Sequence, residues 1–339
     1  MNKKVLGLAL RIAVSVGLMA FLLYFVDTAA LIDNFRNVKL PFLFLAAIFY
    51  GGHALTWGWR WNMLLRDAGV EVSILQTTKT VLLGFAVQLF FPSVVGSDIG
   101  RVYDMARDRE QKVKIVSTVF MDRLIGLITI VATACIAIAV VGSQYLNGGI
   151  FIAIIGAAAV MVAGWLVFFN KRFVKVLDWF LKFPLVNRFA DSIRELYDTI
   201  YGFQSKRKLF LGALMVSVLT TLFELLAIIA LAYALDAVVP LVYFFLFVPI
   251  IWVILVLPVS IGGLGLREGV FAFFFSQVGM TEENAFALSL LYYSLTAVAG
   301  LVGGIFPAIN LIRDGFKKSD ETPEFEGDSA PQPVVETEL

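Results

Sequence analysis

Apolar residues in this chain come in long unbroken runs, not in the alternating or 3.6-residue patterns of a domain with one face in water. Runs at 6–26, 41–59, 116–141, 149–169, 209–235 and 283–311 each come close to or exceed the roughly 20 residues a helix needs to cross a hydrocarbon core. They predict six full spans. Two shorter apolar helices, 75–91 and 239–257, lead into glycine-rich breaks, and a polar segment, 170–208, parts the chain into halves. Lys3, Lys4 and Arg11 give the first run some likeness to a signal peptide. No convincing small-residue cleavage site follows Val26 and more spans come after it, so the run is expected to stay as a helix.

Composition agrees with this pattern and narrows the function. Of the 339 residues, 60% are apolar and 16% charged, with a mean hydropathy of +0.87, outside the range of ordinary water-soluble domains. The net charge is +1, and no basic, aromatic-interleaved stretch suits a nucleic acid. One cysteine, Cys135, and one histidine, His53, cannot assemble a disulfide framework or a zinc site. No Walker loop, GxSxG or metal-spaced histidines occur, so neither a cofactor nor hydrolase chemistry is expected. Seven acidic residues against two basic ones after residue 316, with Pro323, Pro331 and Pro333 and little apolar bulk, predict a disordered acidic tail over 316–339.

Orientation follows from the positions of lysine and arginine. Nine basic residues lie in 170–208, and none in the turns at 142–148 and 236–240, which places 170–208 in the cytoplasm. Part of it, around KRFVKVLDWFLKF, alternates apolar and charged groups as an amphipathic helix on the inner leaflet would. The basic cluster from Arg101 to Lys114 and both chain ends demand the cytoplasm as well. If 75–91 crossed completely, these demands would conflict. They are reconciled if about 75–100 enters from the cytoplasm and turns back, and about 239–280 does the same from the other side. The expected fold is an all-α polytopic membrane protein with about six full spans and two re-entrant broken helices in an inverted repeat. The first membrane half covers 1–169 and the remainder of the second 209–315. The expected location is a prokaryotic cytoplasmic membrane.

The breaks resemble each other. FFPSVVGSDIGR (Phe90–Arg101) and LPVSIGGLGLRE (Leu257–Glu268) place glycine four residues after the proline (Gly96, Gly262) and arginine nine after it (Arg101, Arg267). A serine follows each proline closely (Ser93, Ser260). Proline removes a backbone donor and glycine permits tight turns. Broken backbone in a bilayer survives only against protein or a wet cavity, and paired breaks in two halves point to a transporter's site. A single such break more often marks a kinked structural helix.

Ionisable groups inside apolar runs are costly and tend to mark sites. Glu224, deep in LTTLFELLAIIA, calls for a partner or a proton; it is expected to pair with Arg101 or Arg267, or to belong to a structural hydrogen bond. Asp98 stands three residues before Arg101, and Glu268 directly follows Arg267. These acids could simply neutralise their neighbours, but a guanidinium fork also fits phosphate oxygens. Asp122 and Arg123 rank second, since they open an apolar run and suit a helix end. His53 reads as an interfacial packing residue, and Trp57, Trp59 and Trp61 as part of an aromatic belt.

The runs FPSVVGSDIGRVYDMARD, MDRLIGL and PVSIGGLGLREG, together with Glu224, resemble the lysylphosphatidylglycerol synthase transmembrane region family, also called flippase-like domain proteins, over residues 1–315. The family's characteristic positions fall on Ser93, Gly96, Asp98, Arg101, Asp122, Arg123, Glu224, Ser260, Gly262, Gly263, Gly265, Arg267 and Glu268. The resemblance implies transfer of lipids between leaflets. Two-part relatives carry a soluble aminoacyl-transferase domain after the membrane part. This chain stops at residue 339, so lysine transfer is not implied. The leading expectation is a translocase for an anionic phospholipid or a lipid-linked phosphate, a transporter more than an enzyme. The alternative is a membrane enzyme or accessory subunit acting on polyprenyl-phosphate sugars or phospholipid headgroups, with Asp98 or Glu268 as general base. A passive assembly factor is a third reading. An envelope-biosynthesis enzyme and a second copy of the chain are the partner classes left open.

Overall fold

The computed structural model describes residues 28–91, 96–141, 190–203, 206–237, 239–255, 260 and 263–320. All the regular elements among them are helices: α1 (Thr28–Arg36), α2 (Leu40–Asp67), α3 (Ile74–Phe90), α4 (Gly96–Ala106), α5 (Lys112–Val141), α6 (Ala190–Phe203), α7 (Arg207–Ala234), α8 (Leu241–Leu255), α9 (Leu266–Ser276) and α10 (Glu282–Asp320). The predicted runs at 6–26 and 149–169, with Ser93, Gly262 and residues 321–339, lie outside the described residues.

Among the described residues, four helices are long and apolar enough to cross a membrane: α2, α5, α7, and α10 as far as Ile305. At 1.5 Å per residue these stretches measure about 36–44 Å, enough for a hydrocarbon core of roughly 30 Å. Each coincides with a run predicted from the sequence. Their outer faces carry exposed Phe44, Met215, Val140 and Leu301, as expected of helices whose solvent on that side is lipid. The helix α10 continues to Asp320, past residue 316, where the acidic tail was expected to start. The chain divides into two compact units, Met1–Gly304 and Ile305–Leu339; the functional site lies in the first.

The framework of that unit is the antiparallel pair of α2 and α7. Small residues let the two helices approach, as is usual in bilayers, where apolar burial alone gives little drive for association: a Cβ on Gly52 would lie 3.0 Å from the Phe223 ring, and one on Gly212 3.0 Å from Met63 Cε. Ion pairs close both ends. Lys206 Nζ donates to Asp67 at 2.7 Å at one end, and Lys39 bonds Asp236 at the other. The amide of Lys39 also donates to the Ala234 carbonyl at 2.9 Å.

Both glycine-rich breaks are helical hairpins. At about 25 Å and about 22 Å, α3 and α8 are shorter than the hydrocarbon core, and each is followed by a helix that packs back along it. In the first hairpin Ser73 caps α3 by accepting from the Gln76 amide at 3.1 Å. The return of α4 needs bare backbone: a Cβ on Gly96 would meet Phe91 Cβ at 2.5 Å, and one on Gly84 the Ser97 carbonyl oxygen at 2.8 Å. Farther along, Thr80 Oγ1 donates to Asp104 at 2.5 Å. In the second hairpin, aromatic rings join the two arms, Phe244 to Phe275 at 5.1 Å and Phe247 to Phe274 at 5.2 Å between centroids. Its turn uses Gly263 and Gly265 at φ 78° and 81°, values that side chains disfavour.

The hairpins start at opposite ends of the α2/α7 pair. Asn62 Nδ2 and Arg66 Nε, near the Asp67 end of α2, both donate to the Val72 carbonyl, at 2.9 and 3.3 Å, just ahead of α3. The second hairpin begins with α8, five residues after Asp236. Both tips therefore point inward from opposite ends.

Candidate functional site

The hairpins and the long helices line an open cavity of about 1030 Å³, a volume that includes open solvent. Gln88, near the first tip, and Leu255 and Gly263, at the second, all line it. Tyr50, Trp57, Phe85, Trp252 and Tyr292 supply aromatic surface, and the charged lining groups are Arg60, Asp122, Arg123, Glu224 and Arg267. Such a mixture of apolar walls and a few polar groups is typical of ligand sites.

One side of the cavity is a guanidinium–carboxylate network centred on Asp122. This residue is fully buried in the body of α5, which begins ten residues earlier, at Lys112. It is therefore not the helix-end group suggested by its place at the start of the apolar run. Its Oδ1 accepts from Arg60 Nε at 2.6 Å; its Oδ2 accepts from Arg101 Nη1 and from Trp57 Nε1, both at 2.8 Å. Arg101 Nη2 donates to Asp98 at 2.6 Å, and Arg123 Nη1 stands 3.6 Å from the other Asp98 oxygen. Arg60 Nη1 reaches across to Ser217 Oγ on α7 at 2.7 Å, and Thr129 donates to the same oxygen at 2.8 Å. Three guanidiniums share two carboxylates, so the network holds one positive charge in excess.

Arg101 itself is sealed. Its guanidinium carbon sits 5.0 Å from the Trp57 ring centroid and 4.9 Å from that of Trp61, with no exposed surface. The cation lies over both indole rings, a cation–π arrangement. These tryptophans thus hold an arginine inside the fold, although the sequence suggested an interfacial belt; Trp59, between them, is the exposed one.

The second break arginine lines the cavity. Arg267 Nε donates to Ser289 Oγ at 3.0 Å and its Nη2 to Glu268, while its guanidinium carbon stands 4.3 Å from the Tyr293 ring centroid. Glu268 also accepts from the Gly265 amide at 2.7 Å and from Ser289 at 3.2 Å, so it caps α9 while neutralising Arg267. Of the two break arginines, Arg267 lines the cavity and Arg101 stands behind Asp122 and Trp57. Gly96 is the first residue of α4, and Ser260, buried, carries a hydroxyl oxygen with no hydrogen-bond partner among the described residues.

Glu224 lines the cavity from α7 and accepts from Tyr292 Oη at 2.7 Å, in place of an arginine. Tyr50 Oη and Thr296 Oγ1 bond at 2.9 Å close by. His53 is buried in the same wall, and not at an interface: Nδ1 bonds the Thr220 carbonyl at 3.2 Å. A carbonyl only accepts, so Nδ1 carries the proton. Arg60 and Tyr292 escaped the sequence reading. Arg60 sits one residue beyond the predicted 41–59 span, where it resembles an ordinary terminal charge; its position inside WGWRWN was the available signal.

Comparison with known proteins agrees with a membrane protein. Residues 8–304 match the family described as the lysylphosphatidylglycerol synthase TM region. The chain belongs to that family. It is a multi-pass membrane protein, and its family ties it to lipid modification or flipping. A UPF0104 membrane protein of Pyrococcus horikoshii is 24% identical over 156 residues, covering 45% of this chain and 46% of that protein. The match thus spans about half the length of that relative. No solved structure matches the chain.

Proposed function

We propose that the protein is a lipid translocase of a prokaryotic cytoplasmic membrane, moving a phosphate-bearing lipid, such as a modified phospholipid or a lipid-linked precursor, between leaflets. The observation that carries the reading is one cavity, among membrane-crossing helices, that combines Arg60, Arg123 and Arg267 with Glu224. A charged headgroup resists entering hydrocarbon because it would lose its hydration without compensation. Fixed charges and hydroxyls in a cavity replace part of that hydration while the acyl chains stay in lipid. The two hairpins would line the headgroup's path, Arg267 would draw the phosphate, and Glu224 would balance charge. Arg101 serves the path indirectly by fixing Asp122.

The enzyme reading has less support, because its candidate general bases are occupied. Asp98 is bound by Arg101 and Arg123, and Glu268 by Arg267, Ser289 and the Gly265 amide. Liposomes with headgroup-labelled phospholipids decide between the two. Transfer across the bilayer with unaltered lipid is expected, reduced about tenfold or more in Arg267→Gln and Glu224→Gln, since each removes a charge from the path. A chemically changed lipid, or no transfer by the wild-type protein, would refute the translocase.

A further inference from the structure

We propose that the phosphoryl group of the lipid is seated between Arg60 of α2 and Arg123 of α5, across Gly126, and that Arg101 supports this seat from behind. The inference rests on the translocase reading and assigns the headgroup a place within the cavity. Arg60 is held rigidly: Nε is bound to Asp122, Nη1 to Ser217, and its side chain is 6% exposed. Among the described residues its remaining nitrogen, Nη2, has no hydrogen-bond partner, and the residue lines the cavity. The space in front is left by Gly126: a Cβ there would lie 3.6 Å from Nη2 and 3.7 Å from Nη1, so any longer side chain would cover the guanidinium.

Arg123 precedes Gly126 by three residues and therefore lies on the same face of α5. At 3.6 Å its contact with Asp98 is loose, and its side chain is 24% exposed, the most open of the three arginines in the network. It can turn to an incoming anion without leaving Asp98 unpaired, because Asp98 keeps Arg101 at 2.6 Å. The positive charge in excess over the two aspartates thus becomes available at the cavity surface. A preorganised guanidinium beside a movable one suits tetrahedral phosphate oxygens, whether of a lipid headgroup or of free phosphate.

The test measures binding by the purified full-length protein in detergent, using intrinsic tryptophan fluorescence, since Trp57 and Trp252 line the cavity. The probes are dioctanoyl phosphatidylglycerol, inorganic phosphate, and dioctanoylglycerol, which lacks the phosphate. The wild type should prefer the phospholipid to dioctanoylglycerol at least tenfold. Arg123→Gln and Gly126→Leu should each reduce that preference to about threefold or less; Gly126→Leu covers the seat without altering any charge. Helical circular dichroism and a monodisperse elution profile show that the variants are folded, and Gly126→Ala, which fits in van der Waals contact, serves if Gly126→Leu does not fold. It should weaken the preference in the same direction. Tight binding of inorganic phosphate alone would support the seat but identify its source as the free anion. Undiminished preference in folded Arg123→Gln and Gly126→Leu would overturn the seat and leave the translocase standing. No preference for phospholipid in the wild type would overturn both.

Discussion

Asp122 is the residue on which the site's charge balance turns. It accepts from two guanidiniums and an indole without any exposed surface of its own. Removing one partner of a buried ion pair costs about 3–5 kcal/mol, because the remaining charge loses its compensation. Asp122→Asn keeps the shape but leaves Asp98 to Arg101 and Arg123 and takes from Arg60 its carboxylate partner. It should lower stability by about 3 kcal/mol, read as a drop in the midpoint of thermal unfolding in detergent. Asp98→Asn should cost less, since the Asp98 side chain is 14% exposed. Equal midpoints for wild type and Asp122→Asn would show that the network does not hold the helices together. At this scale the sequence discloses residue types but not partners. Asp122, Arg123, Glu224 and Arg267 stand out as charges in apolar surroundings; that Glu224 meets Tyr292, 68 positions away, depends on which helices touch.

Among the elements, the four described spans are legible because a bilayer imposes a minimum apolar length that any reader can count. The hairpins are legible for a different reason. Placing the basic residues 101–114 and 170–208 on one side leaves no room for a full crossing at 75–91, and the structure shows the chain reversing there. What the sequence withholds is the contact that makes the reversal stable. Gly84, inside α3, carries no turn signal, yet its missing side chain lets the Ser97 carbonyl approach. A Gly84→Val variant puts a Cβ at 2.8 Å from that oxygen and must part the two arms, a strain expected to cost about 1–3 kcal/mol. Gly51→Ala, with nothing within 4 Å of its Cβ, should be neutral or stabilise slightly, as alanine favours helix. Denaturation midpoints of the two variants make the comparison; similar midpoints would mean that the arms of the first hairpin do not need their close contact.

For the whole molecule, the question is which way the α2/α7 pair faces, because both hairpins are tied to its ends. The Asp67–Lys206 end lies beside Arg66, Arg207 and Lys208, whereas the Lys39–Asp236 end borders a turn without basic residues at 236–240. Arg66, Lys206, Arg207 and Lys208 at the first end outnumber Arg36 and Lys39 at the second, so by the positive-inside rule the first end is expected to face the cytoplasm. Four exposed positions report on this: Glu71 and Arg207 near the first end, Asp236 and Glu282 near the openings of the second. With Cys135 replaced by serine and single cysteines at these positions, an impermeant maleimide applied to intact cells should label the Asp236→Cys and Glu282→Cys proteins. The Glu71→Cys and Arg207→Cys proteins should react only after permeabilisation. The comparison of Glu71 with Glu282 is the decisive one. If both label from the same side, the two hairpins do not enter from opposite faces, and a cavity reached from each leaflet in turn loses its structural basis. If they label from opposite sides, the cavity lined by Gln88 of the first hairpin and by Leu255 and Gly263 of the second is approached by one hairpin from each leaflet, as a path for a headgroup in transit requires.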